Sequence, residues 1–119
     1  MKLPEEIKVC GHSYKVLFPY AFREIGNFDG QADHEMLEIR IRGLDSGGNV
    51  RPNSVIAENL IHEILHIADG LSGHQVFAEN EPAIVGLSNV LYGILRENNM
   101  LSEDMMPDET EEQGIDTSQ

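Results

Sequence analysis

The sequence predicts an α+β domain in which a short antiparallel sheet of three or four strands is followed by two helices. Residues 7 to 41 alternate apolar and polar side chains with the period of two that strands require, whereas residues 54 to 97 place apolar side chains at helical spacing. Between the two regions lies GLDSGGNVRPNS, whose Gly, Pro, Asn and Asp content marks a loop. A chain of 119 residues with 40% apolar content suits one unit with one modest core.

Ile7 and Val9 alternate with Lys8 and Cys10, and Tyr14, Val16 and Phe18 alternate with Lys15 and Leu17; Gly11-His12 offers the turn of a hairpin. Gly26-Asn27 and Asp29-Gly30 punctuate the next stretch. Leu37, Ile39 and Ile41 then alternate strictly with Glu38, Arg40 and Arg42, the clearest strand signal in the chain. A first helix is expected from about Ser54 to about Asp69, capped by Asn53 or Ser54 and ending near Gly70. At about 100° per residue, Ile56, Ala57, Leu60, Ile61, Ile64, Leu65, Ile67 and Ala68 cover one half of it. Glu58, Asn59, His62, Glu63, His66 and Asp69 cover the other half. A second helix is expected from Pro82 to Glu97, with Ala83, Ile84, Leu87, Val90, Leu91, Ile94 and Leu95 as its buried stripe.

The net charge of −13 is uneven, because the segment from Leu101 to Gln119 holds seven acids and no Lys or Arg. That segment reads as an acidic disordered tail after a folded domain spanning residues 1 to 100. An acidic chain without a Lys/Arg cluster is a poor nucleic-acid binder. No apolar run approaches the ~20 residues of a membrane span, and the N-terminus lacks the apolar stretch of a signal peptide. With the single Cys10 unable to form an internal disulfide, these features point to the cytoplasm.

The chemistry sits on the first helix. His62-Glu63-Ile64-Leu65-His66 sends two imidazoles from one helical face one turn apart, as two ligands of one Zn²⁺ require. Glu63 occupies the neighbouring strip, placed to act as a general base on water. With 5 His in the chain, composition alone yields about 0.02 occurrences of this motif. A catalytic zinc usually takes a third protein ligand and leaves a position for water. Ser72 stands where the HExxHxxGxxH pattern needs histidine. On the wheel of the second helix Glu81 shares an edge with the apolar stripe while Glu79 points away, so Glu81 is the preferred third ligand, with Glu79 and His74 as alternatives. Asp69 lies on the same face as both histidines and can orient an imidazole or simply end the helix. His12, His34 and His74 have no partner at ligand spacing, and Tyr92 is expected in the core.

The stretch from Glu58 to Asn98, with LEIRI before it, resembles the gluzincins, in which HExxH on one helix is completed by Glu on the next. It is most similar to small zinc-peptidase-like proteins of phages and prophages related to ImmA/IrrE, and more loosely to SprT-like proteins. The resemblance implies a minimal zincin with one strand bordering the cleft and a zinc held by His62, His66 and Glu81. It also implies Glu63 as base, a protein or peptide substrate, and a host bacterial cytoplasm if the chain is phage-encoded. Leu37 to Arg42 is expected to be the strand that receives the peptide. The alternative is a zinc-binding module without peptidase activity, for which Glu63 has no use.

Overall fold

A computed structural model describes residues 2–23 and 28–106 of the chain. Its elements are β1 (Glu6–Val9), β2 (His12–Tyr20), β3 (Gly30–Asp33), β4 (Glu38–Arg42), α1 (Asn53–Ser72), α2 (Glu81–Glu97) and a 3₁₀ turn over Glu103–Met105. The α+β class and the order of strands before helices are as the sequence predicts.

β1 and β2 form the expected antiparallel hairpin, closed by Val9 opposite His12. The turn centres on Cys10 and Gly11, at φ 49° and 83°, one residue earlier than expected. A two-residue turn with both φ values positive matches the twist of its strands. β3 and β4 form a second antiparallel hairpin, with Asp33 Oδ1 accepting the Met36 N–H at 3.0 Å in its turn.

The sheet order is β1-β2-β4-β3, and β2 pairs with β4 in parallel, so the sheet is mixed where an antiparallel one was expected. β3 lies at the edge opposite β1, and β4 lies between β2 and β3. Burial explains this choice. Ile39 and Ile41 of β4 are wholly inaccessible, and the strand that carries them takes an interior position where both of its edges are paired. Leu37 to Arg42 is therefore no free edge, and β3 borders solvent in its place.

α1 packs on β3 and β4, burying Ile56, Ala57, Leu60, Ile61 and Ile67 against Tyr14, Ile39 and Ile41. Its N-cap is Pro52, which offers no side-chain cap and stands before the expected Asn53 or Ser54, and it runs on to Ser72, where Gly73 at φ 80° closes it. Glycine suits that left-handed position. Ala68, expected inside, is exposed.

α2 rests on α1, and its buried line is Ile84, Ser88 and Tyr92. Leu87, Val90 and Ile94 of the expected stripe stand 44%, 60% and 47% exposed. The helix is rotated so that its inward face carries the polar Glu81 and Ser88 toward the cleft; Ser88 Oγ donates to the Ile84 carbonyl at 2.7 Å.

Met105 is buried among the core residues, and Leu101 packs against them. Tyr92 donates its hydroxyl to the Met105 carbonyl at 3.5 Å. The folded unit therefore extends past the expected boundary at residue 100, because two apolar side chains in an otherwise acidic stretch reach the core. The remainder of the expected tail, 107–119, and Gly26-Asn27 lie outside the described residues.

Candidate metal centre

His62 and His66 leave α1 one turn apart and direct their Nε2 atoms at each other, 3.1 Å apart. Glu81, the first residue of α2, sets its carboxylate across both imidazoles, with Oε1 2.7 Å from His62 Nε2 and Oε2 3.2 Å from His66 Nε2. One ligand atom from each of the three lies within 4.8 Å of the others. Tetrahedral zinc with bonds near 2.0–2.1 Å spaces its ligand atoms by about 3.3 Å, so this nitrogen, nitrogen and oxygen set fits one such ion. Two imidazoles present the same ring nitrogen to one carboxylate, an arrangement that one shared cation would fit.

Glu79 and His74 are exposed and stand outside this group. Asp69 does not serve the imidazoles. Its carboxylate accepts the backbone N–H groups of Val76 at 2.8 Å and Phe77 at 3.0 Å, fixing the segment that leads into α2 and hence into Glu81. His34 is not a ligand here but a partner of the Tyr14 hydroxyl, and its ring meets His12 edge to face with centroids 5.4 Å apart.

Glu63 follows His62 by one residue, so the helix turns it about 100° away from the ligands and toward β3. It is only 7% exposed, although its chemistry suggested the polar half of the helix. The Ala32 N–H donates to its carboxylate, and Gly30 makes the close approach possible. A β-carbon at Gly30 would stand 3.0 Å from Glu63 Oε2 and 3.2 Å from Ile41 Cδ1. Burial first, and the nearby Glu81 charge second, push the Glu63 carboxyl up to about 7 from an ordinary 4.5, against the opposing pull of the Ala32 hydrogen bond.

A cleft of ≈ 670 Å³ opens between β3 and the facing sides of the two helices, with Gly30, Gln31 and Ala32 on one wall and His62, Glu63 and Glu81 around its floor. Arg51, missed in the sequence, braces one end. It is 5% exposed, donates to the Arg42 carbonyl at 2.7 Å, and also donates to the Asn59 side chain. A lone Arg in a Gly- and Pro-rich loop carries no periodic signal that would betray its burial.

The chain has no significant match to a family model, a curated protein or a solved structure. The His62, His66 and Glu81 group on α1 and α2 can hold a metal ion, and it is this geometry that bears on function.

Proposed function

We propose that the chain is a zinc-dependent metallopeptidase that hydrolyses a peptide bond in a protein or peptide substrate. The supporting observation is a buried carboxylate, Glu63, held beside a His62, His66 and Glu81 ligand set at the floor of an open cleft. His62, His66 and Glu81 would hold Zn²⁺, which when bound supplies Lewis acidity, polarising a carbonyl and bringing the pKa of water toward neutrality. Glu63 takes a proton from the attacking water and passes it to the leaving amine. Its carboxyl near 7 in the metal-free protein is kept there by dry surroundings and steadied by the Ala32 N–H. β3 is the edge strand of the sheet and Gly30, Gln31 and Ala32 line the cleft; with the Ala32 N–H engaged by Glu63, the remaining outward backbone groups of this edge are what an extended peptide would meet by strand addition. No helix among the described residues is long and apolar enough to cross a membrane, and a cytoplasmic setting is part of the proposal.

Elemental analysis and peptide hydrolysis test the reading together. Purified protein is expected to carry about one zinc per chain, lost in His62→Ala and His66→Ala. Glu63→Gln is expected to keep the zinc and lose hydrolysis by a factor of at least about 10². Zinc-free protein from a chelator-free preparation, or hydrolysis that survives Glu63→Gln, would overturn it.

A further inference from the structure

Among the described residues, the acids that line the cleft are Asp29, Glu58, Glu63 and Glu81, and no Lys or Arg lines it. Three of the four are already engaged. Asp29 Oδ1 is 2.6 Å from Arg42 Nη2 and 3.7 Å from Arg51 Nη2, Glu63 accepts the Ala32 N–H, and Glu81 spans His62 and His66. Glu58 differs. Its neighbour is the uncharged amide of Asn89, reached across the cleft from α2, and none of the eight Lys and Arg residues, all of them described, pairs with it. Burial pushes its carboxyl up from the ordinary value with no cation to offset the cost.

Its place on the helix is informative. Glu58 precedes His62 by four residues, so it projects from the same face about 6 Å along the axis, the length of about two extended peptide residues. Phe28 and Val85 line the same cleft and are 40% and 44% exposed, a surface on which a long aliphatic stem can lie while its charged end reaches a carboxylate.

On the metallopeptidase reading, we infer that Glu58 selects substrates bearing an organic cation, the ammonium of Lys or the guanidinium of Arg, within about two residues of the bond that is cut. The cation completes the charge of a half-buried carboxylate that no Lys or Arg of the chain pairs, and the −13 net charge draws such peptides in.

The test uses zinc-loaded, full-length protein and quenched fluorescent peptides that differ only by Lys, Arg, norleucine or Glu at single positions flanking the cut. Each is made with a free and an acetylated N-terminus. Wild type is expected to turn over the Lys and Arg peptides about tenfold faster in kcat/KM than the norleucine peptide, with the Glu peptide slowest. Glu58→Gln keeps the shape and the Asn89 contact, so it is expected to retain zinc and to shrink the preference to about twofold or less. A wild-type enzyme indifferent to charge, or a preference intact in Glu58→Gln, would overturn the inference. A preference abolished by acetylation would also overturn the side-chain assignment and put an N-terminal ammonium in its place. Calorimetry with zinc-loaded Glu63→Gln separates this from the parent reading. Lys-dependent binding that Glu58→Gln removes, without turnover by wild type, sustains cation recognition and sinks the peptidase. Turnover blind to charge does the opposite.

Discussion

Glu63→Gln in the zinc-free protein isolates the cost of burying this carboxylate. In the fold the carboxyl titrates at about 7, against 4.5 as the ordinary value. Below the ordinary value both folded and unfolded chains carry the proton, and the stability of the fold is whole. As pH rises the unfolded chain ionises first while the folded one keeps its proton, so stability falls through this window and levels above about 7. At about 1.4 kcal/mol for each pH step of one, the loss is on the order of 3 kcal/mol, and between about pH 5 and pH 8 it is more than about 2 kcal/mol. Glutamine keeps an acceptor for the Ala32 N–H and does not titrate. Urea unfolding in the presence of chelator is the assay, run on both proteins across that range. The stability of Glu63→Gln is expected to gain on wild type steadily as pH rises, by about 2 kcal/mol at the alkaline end. Parallel stability curves within about 0.5 kcal/mol would show that Glu63 is solvated or paired, and the account of a desolvated base would fail. Excess zinc should remove most of the difference, because a nearby cation favours the ionised carboxylate.

The remaining predictions concern the ligands, the cleft wall and the chain end. Glu81→Ala should weaken zinc binding by at least about tenfold in competition with a chromogenic chelator, while Glu79→Ala and His74→Ala change it by less than about threefold; the reverse ranking would remove Glu81 from the ligand set. Gly30→Ala should leave zinc content intact but lower hydrolysis by about tenfold or more, since its β-carbon crowds Glu63 Oε2 at 3.0 Å; unchanged hydrolysis would show that β3 yields freely. A chain ending at Met106 should melt like the full-length protein, whereas one ending at Met100 loses buried Met105 and should be less stable by about 2–4 kcal/mol in urea. Equal melts for the two truncations would show that the Met105 contact contributes nothing.

What the sequence disclosed was local. The 100° step along Asn53–Ser72 shows in the apolar positions from Ile56 to Ile67, and the same step puts His62 above His66, so the helix and its pair of neighbouring imidazoles were legible together. Glu81 was legible for a weaker reason, its place on the edge of a stripe; that stripe proved half wrong, yet Ile84 and Ser88 still turn the edge toward α1. The pairing of β2 with β4 was not legible, because alternation fixes which face of a strand is buried and says nothing about its neighbour. Nor was the burial of Met105, a contact made across the fold by a side chain without periodic companions.

Glu63 shows how one helix serves two purposes at adjacent positions. A residue that could hold a metal must stay open to it, and His62 and His66 keep 15% and 31% of their side chains accessible. On the proposed function a base tuned upward must be dry, and one step of about 100° takes Glu63 out of the row of imidazoles and beneath β3. That demands an unobstructed strand at the contact, which Gly30 provides, and a donor to stop the carboxylate from swinging, which the Ala32 N–H provides. The edge strand is thus part of the site. Gly30 makes room for the Glu63 carboxylate, and the outward N–H of Ala32 is spent on holding it.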